Sequence, residues 1–379
     1  MNISDAKNIL IVKFGSLGDC YQTIPTIFSL YHYLQSKHSN DMRITLITQP
    51  EFENLFNNCP WIDRVIPLER PSSRNFIKIR QIAQFILDFE FDCVLDLQLN
   101  RLSQRISKRL TNSSVLTISN TPHAKISLEQ PEGMQRSGTD QLNALMTLLE
   151  IPAKPFMPSD LGWLAGVQNS FEWLELQRKV LLAVGASNGK GSRKSWPARC
   201  YAELSDILLL NGFTPVLVGN EFETAIGQKI EAKARKVDDM IGKTNLEGVS
   251  QLMNESVAII GNDTGLMHLA PLLNVPSVTL FGHQTRPELH AAKGKFATHI
   301  QVDILENLDP TRVFDRMMDV YSYRTRLRLA SLKARKSKPM QNDDEPHAPL
   351  ETKDNAGTHR FLDVSHFDRN NKDPILLDD

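Results

Sequence analysis

Hydrophobic and polar positions follow two rhythms over the first 97 residues. Ile9-Leu10-Ile11-Val12 is an unbroken apolar run, the pattern of a strand buried on both faces. A glycine-bearing loop and a longer helical pattern follow it. Arg43 to Ile47, Arg64 to Leu68 and Cys93 to Leu97 read as further strands. Between the last two, Phe76, Ile79, Ile82, Ala83, Ile86 and Leu87 recur at helical spacing. Strand and helix taking turns in this way predict a parallel sheet with helices on both faces.

The rhythm fades from about 119 to 175, a polar stretch with several prolines and a helical pattern over Asp140 to Leu149. It restarts with strands at Val180 to Val184, Thr214 to Val218, Val257 to Gly261 and Ser277 to Phe281. Pro197 stands near the start of a helix that reaches Leu210 and stops at Asn211-Gly212. The expected architecture is α/β, with two Rossmann-like, doubly wound parallel-sheet domains facing across a cleft. The expected divisions are 1–160, 161–320, a basic helix end over 321–338 and a disordered polar tail over 339–379. Ligands of such sheets bind beyond the carboxyl ends of the strands, so the cleft is the expected site.

Composition narrows the class. The 379 residues carry 43 Lys and Arg against 44 Asp and Glu, a net charge of -1. That excludes a globally basic nucleic-acid coat and a globally acidic buffer. Cys20, Cys59, Cys93 and Cys200 are far apart with no C-x-x-C, so neither a disulfide framework nor a zinc knuckle is expected. No apolar run reaches the length of a membrane span, and the amino terminus lacks a basic n-region. A cytoplasmic location is expected, with contact to the inner membrane face left open.

Three loops carry candidate chemistry. The first, Phe14-Gly15-Ser16-Leu17-Gly18-Asp19, joins the first strand to the first helix. Asp19 there fits either a helix cap or a catalytic base. The second, Gly185 to Pro197, holds Lys190, Arg193 and Lys194 among small residues and no acid. Such a loop suits a diphosphate, and it equally fits a solvated surface turn. The third runs Gly261-Asn262-Asp263-Thr264-Gly265-Leu266-Met267-His268-Leu269-Ala270. A helix is expected to open at about Thr264 with Asp263 as its cap, and its free N–H groups suit a phosphate. His268 would face either a ligand or the core.

The order Gly-Asp, then Lys-x-Trp-Pro, then Asp-Thr-Gly-x-x-His-Leu-Ala resembles glycosyltransferase family 9, the lipopolysaccharide heptosyltransferases, over roughly residues 8–305. The resemblance implies the GT-B fold and an inverting glycosyl transfer, with heptose leaving ADP-heptose for a hydroxyl of a lipopolysaccharide-core or related acceptor. It implies Asp19 as general base. It implies donor binding by Lys194, Asp263, Thr264, Gly265 and His268, with Glu221 near the nucleoside; Ser187 and Arg193 of the second loop are expected donor-binding residues beside them. The acceptor side is expected at Gly18, Gln22, Arg101 and Arg105. No metal and no cofactor beyond the nucleotide-sugar substrate is expected. The chain departs from the family pattern in Lys13, where many members have Arg, and in Cys20 and Gln22, where the family has an apolar residue and a histidine. It also departs in Gly282-His283-Gln284-Thr285-Arg286, which replaces the usual Gly-Pro-Thr.

Two basic stretches remain. Leu97 to Leu128 holds five Lys and Arg and no acid, which fits an anionic glycolipid acceptor or a solvated helix face. Tyr321 to Lys338 holds seven and no acid, which fits attachment to an anionic leaflet or a solvated helix end. Nucleic-acid binding is not expected, because interleaved aromatics are scarce and the neighbouring tail is acidic. The other readings of the same scaffold are a nucleotide-sugar epimerase and a non-catalytic sugar-nucleotide-binding protein.

Overall fold

The computed structural model describes residues 2–39, 41–129, 135–164, 178–185, 195–336, 352–353 and 359–360. Ser187, Arg193 and Lys194, and the expected disorder of the tail apart from 352–353 and 359–360, lie outside the described residues. The chain divides into two units, 1–327 and 328–379. In the second unit Thr352–Lys353 pairs antiparallel with His359–Arg360.

The first unit holds two six-stranded sheets. In the first sheet, β1 (Asn8–Val12), β2 (Arg43–Thr48), β3 (Arg64–Pro67), β4 (Cys93–Asp96), β5 (Leu116–Ser119) and β6 (Ile126–Ser127) lie in the order β3-β2-β1-β4-β5-β6. In the second, β7 (Lys179–Ala183), β8 (Thr214–Val218), β9 (Asp238–Asp239), β10 (Ala258–Asn262), β11 (Ser277–Phe281) and β12 (Ala297–Gln301) lie in the order β12-β11-β10-β7-β8-β9. Every described pairing in both sheets is parallel. Each sheet is thus wound outward from a central pair, β1 with β4 and β7 with β10. The loops that leave these pairs diverge and open a crevice at the switch point.

Burial explains the strand sequences. Ile9 and Ile11 pack into the core shared with helix α1 (Leu17–His38), while Leu10 and Val12 pack on the opposite side against α3 (Phe76–Asp88). Leu181 and Ala183 face the shared core, and Val180 and Leu182 face a second core with Trp196 and Tyr201. A strand covered on both faces needs apolar residues at every position, which is why these runs do not alternate.

The shared core crosses from one half to the other. Cys20, Tyr21 and Ile24 of α1 belong to the same cluster as Met267, Leu269 and Leu273. At the point of closest approach there is no room for a β-carbon. One added at Gly18 would stand 2.5 Å from Cδ2 of His268, and one at Gly265 would stand 2.8 Å from Cβ of Leu17 and 3.0 Å from N of Gly18. A second tie joins α5 (Gly138–Leu148) and its approach to residues 286–293. Arg286 Nη1 donates to Gln135 Oε1 at 2.7 Å, and Lys293 pairs with Asp140 at 2.5 Å.

The third loop departs from expectation. β10 runs on to Asn262, and a single 3-10 turn, Gly265–His268, replaces the expected helix, with Thr264 rather than Asp263 at its cap position. Pro271 supplies no N–H to accept from, and it disfavours helical backbone at Ala270. The chain closes i to i+3 bonds instead, Met267 N to Thr264 O at 3.2 Å and Leu269 N to Leu266 O at 3.1 Å. The C-terminal helix spans Pro310–Lys336. Among the described residues, no helix is long and apolar enough to cross a membrane.

The tight approach makes a specific forecast. Gly265→Ala overpacks a site where the nearest atoms include backbone, and it should cost about 1–3 kcal/mol. Urea unfolding that gives the parent midpoint for this variant would show that the halves are not held at the spacing described.

Candidate active site

The loop after β1 is built around one glycine and one reciprocal amide pair. Gly15 has φ +113, a backbone state that L side chains rarely adopt. Its N–H donates to Gln98 Oε1 at 3.1 Å, and Gln98 Nε2 donates back to Gly15 O at 3.1 Å. Gln98 is held in turn by Asp96 at the end of β4. Oδ1 of Asp96 accepts from the N–H groups of Gln98 and Leu99, both at 2.9 Å, and Oδ2 accepts from the Ser119 hydroxyl at 2.6 Å. Burial pushes the Asp96 carboxyl up, and these donors oppose the shift. Lys13 is buried, and its ammonium donates to Leu97 O at 2.9 Å. Asp96 and Gln98 are positioning residues that the apolar pattern does not single out; an acid ending a buried strand is the one signal for them.

Asp19 serves as a cap and also lines a cavity. Its Oδ2 accepts from Ser16 N–H at 3.0 Å and from the Ser16 hydroxyl at 3.2 Å, closing a capping box on α1. Its Oδ1 lies toward Gly138, where an added β-carbon would stand 3.9 Å away. Gln22, one turn further along, reaches across to the other half. Its Nε2 lies 3.0 Å from His268 Nδ1, and its Oε1 accepts from the Thr139 hydroxyl at 3.3 Å. With the carbonyl oxygen facing Thr139, the amide N–H donates to His268, so Nδ1 is the acceptor and the proton sits on Nε2. Burial lowers the His268 pKa to about 4, and Asp19 opposes this while His290 adds to it. The imidazole is therefore neutral at neutral pH. Cys20, behind Asp19, is pushed up to about 12 by burial and stays a thiol.

Two cavities of about 820 Å³ each meet at this point. One is lined by Lys13, Ser16, Gly18, Asp19, Gln22, Arg70, Arg136, Asp263 and His268 among others. The other lies over the ends of β7 and β8, and its lining includes Leu17, Gly185, Gly219, Asn220, Glu223, Leu246, Val249 and Leu266. Thr264 and Gly265 line both. The Oγ1 of Thr264 is buried without a hydrogen-bond partner among the described residues, and of the side-chain atoms in that state it is the one that lines both cavities.

Among the described residues, the second cavity is lined by three carboxylates, Glu51, Glu223 and Glu247, and no Lys or Arg. Glu223 lies against Gly185 and Gly219, where a β-carbon would stand 2.9 and 3.1 Å from its carboxylate oxygens. Burial raises its pKa, opposed by the Asn220 N–H that it accepts at 2.7 Å. Asn262 fixes the ends of the basic loop at this cavity. Its Oδ1 accepts from Trp196 N–H at 2.9 Å, and its Nδ2 donates to Val184 O at 3.0 Å and Gly185 O at 3.1 Å. Trp196, from the Lys-x-Trp-Pro motif, is wholly buried and donates through Nε1 to Leu308 O at 3.1 Å.

Of the residues singled out in the sequence, Gly18, Asp19, Gln22, Asp263, Thr264, Gly265 and His268 come together around one cavity. Glu221 is exposed and lines neither cavity; Glu223, two residues on, does. Arg101 is exposed and Arg105 is engaged elsewhere, with its guanidinium on the Ser73 carbonyl and over the Phe76 ring at 5.1 Å. Neither lines either of these two cavities; Arg70 and Arg136 line the one that holds Asp19.

Residues 121–317 match the family model described as glycosyltransferase family 9 (heptosyltransferase). The lipooligosaccharide heptosyltransferase 2 of Haemophilus influenzae is 32% identical over 117 residues, a match that covers 30% of this chain and 34% of that protein. The lipopolysaccharide heptosyltransferase 1 of Campylobacter coli is 27% identical over 305 residues, 72% of this chain and 83% of that one. The solved structure of the E. coli ADP-heptose lipopolysaccharide heptosyltransferase II superposes with a TM-score of 0.63 at 20% identity, over 84% of this chain and 99% of that chain.

The buried imidazole sets a pH dependence. Between pH 6.5 and about 4 the unfolded chain takes up a proton at His268 that the folded chain refuses. Stability present above 6.5 is therefore lost as the pH falls through this window, by about 3 kcal/mol in all. Denaturant titrations across the window should give a steeper fall for the parent than for His268→Gln. Equal slopes would show that His268 does not stay neutral in the fold.

Proposed function

The chain belongs to glycosyltransferase family 9, and on that premise we propose that it transfers a sugar from a nucleoside-diphosphate donor to an acceptor hydroxyl with inversion. The proposed donor is ADP-heptose, the compound named for the E. coli protein of like fold. The proposed acceptor is an anionic glycolipid or core oligosaccharide of the lipopolysaccharide type, met at the inner face of the cytoplasmic membrane. The observation that carries this reading is the shared wall at Thr264 and Gly265, between a carboxylate-lined cavity and one that holds Asp19. A nucleoside in the first, a diphosphate at the wall and a sugar entering the second is the arrangement this division favours.

The mechanism follows from where charge develops. As the bond from the sugar to the β-phosphate breaks, negative charge gathers on the phosphate oxygens. The Thr264 hydroxyl, the backbone N–H groups of the 263–265 turn and the cations of the basic loop, Arg193 and Lys194, are proposed to stabilise it. Asp19 takes the proton from the attacking hydroxyl. Its capping bonds occupy Oδ2 and aim the carboxylate without using Oδ1. His268, kept neutral by burial and oriented by Gln22, offers Nε2–H to an oxygen of the bound substrate. Glu223 is the proposed partner of the ribose hydroxyls, since an acid just past the second strand of such a sheet is placed for that contact. Arg70 and Arg136 are proposed to bind the acceptor's anionic group.

Two variants test the assignment. Asp19→Asn should lower kcat by about 10²–10⁴ and leave the donor Kd unchanged, as read by product mass and by calorimetry. Parent turnover in that variant would remove Asp19 from the reaction. An altered sugar released without acceptor would favour an epimerase. Glu223→Gln should weaken donor binding about tenfold with no change in acceptor KM; an unchanged donor Kd would place the nucleoside elsewhere.

A further inference from the structure

We propose that the first turn of α3 and the Arg101–Arg105–Lys108 stripe of α4 (Arg101–Leu110) form a docking surface for an anionic lipid bilayer. α3 buries Ile79, Ile82, Ala83 and Ile86 in the sheet, as an amphipathic helix should. It also carries Phe76 and Ile77 on the outside, 59% and 74% exposed, in its opening turn. Isolated apolar residues on a surface are ordinary; an adjacent pair inside a cationic field is not. From 70 to 87 the chain has Arg70, Arg74, Lys78 and Arg80 and no acid, and from 97 to 128 it has five Lys and Arg and no acid.

The cations are also placed against the preference of the helices that carry them. Neither α3 nor α4 has an acid in its first turn, and Lys78 and Arg101 stand there instead. A positive charge at a helix N-terminus opposes the helix dipole, so folding alone does not account for the choice. The two helices present these charges on one surface. The Arg105 guanidinium lies over the Phe76 ring at 5.1 Å, and Arg101 and Lys108 fall four before and three after Arg105, on the same helical stripe.

The surface borders the Asp19 cavity. Arg70, which precedes α3, and Asn100, which caps α4, both line it. A bilayer satisfies both parts of the patch at once: phosphate headgroups take the Lys and Arg ends, and the interface takes Phe76 and Ile77. A nucleic-acid backbone would leave Ile77 without a use. An acceptor anchored in the bilayer then reaches Asp19 without leaving the membrane.

Flotation of the full-length protein with phosphatidylcholine vesicles, with and without phosphatidylglycerol, tests the proposal. No donor or acceptor is present, so the result stands apart from the transferase reading. Binding should require the anionic lipid. Ile77→Ser should lower partitioning about tenfold. Lys78→Glu with Lys108→Glu should lower it at least twentyfold, at about fivefold per charge neutralised. Reversal of Arg326 and Lys333 in the C-terminal helix should leave it unchanged, as should all three for turnover of a soluble acceptor. Partitioning untouched by the α3 and α4 variants, lost only with the C-terminal reversal, or equal on neutral vesicles would overturn the proposal.

Discussion

The arrangement of this protein depends on how closely two backbones can approach. Leu17 and Gly18 at the start of α1 meet Gly265 and His268 at a distance that admits no β-carbon on either glycine. That contact sets the spacing of the two sheets and joins their cores. It also brings the loops from both switch points to a common wall. A side chain at either position would part the halves by several tenths of an ångström or more, and the two cavities would no longer share Thr264 and Gly265. The Gln22 to His268 hydrogen bond crosses at the same place and ties side chains to the backbone fit.

The electrostatics of the two cavities differ in a way that suits one elongated ligand. Among the described residues, Glu51, Glu223 and Glu247 line one cavity without a Lys or Arg, Lys13, Arg70 and Arg136 join Asp19 and Asp263 in the other, and the Thr264 hydroxyl stands between them without a hydrogen-bond partner. Burial works on these groups according to their charge: it keeps the His268 imidazole neutral and raises Glu223. Behind the cavities, Asp96 and Asn262 are buried polar residues whose bonds go to loop backbone at the cleft. They bring together stretches that are distant in sequence, Gly15 with Gln98 and Gly185 with Trp196.

Much of this was readable in the chain. The strands at Thr214–Val218 and Ser277–Phe281 appear at the expected residues, because each ends in a short run of apolar and β-branched positions, Val216 to Val218 and Val278 to Phe281, that leaves little choice. The edge strands at Ile126–Ser127 and Asp238–Asp239 were not readable: two residues make no pattern, and their pairing is decided by the neighbouring strand. The helix expected after Asp263 fails because Pro271 acts from beyond the motif. In the site, the Gly-Asp and Asp-Thr-Gly residues were found through local motifs. Glu223 and the pair Arg70 and Arg136 were missed, since only the packed halves reveal which of several nearby charges turns inward. Arg101 and Arg105 lie on a helix whose start reaches the cavity, yet their side chains belong to its outer surface.

The central claim is that one nucleoside diphosphate spans the wall between the two cavities. A crystal structure of the full chain soaked with ADP tests this most directly. The account predicts the diphosphate at the N–H groups of residues 263–265 beside the Thr264 hydroxyl, with the ribose against Glu223. Nucleotide found away from that wall, or on one sheet without contact to residues 264 and 265, would contradict it.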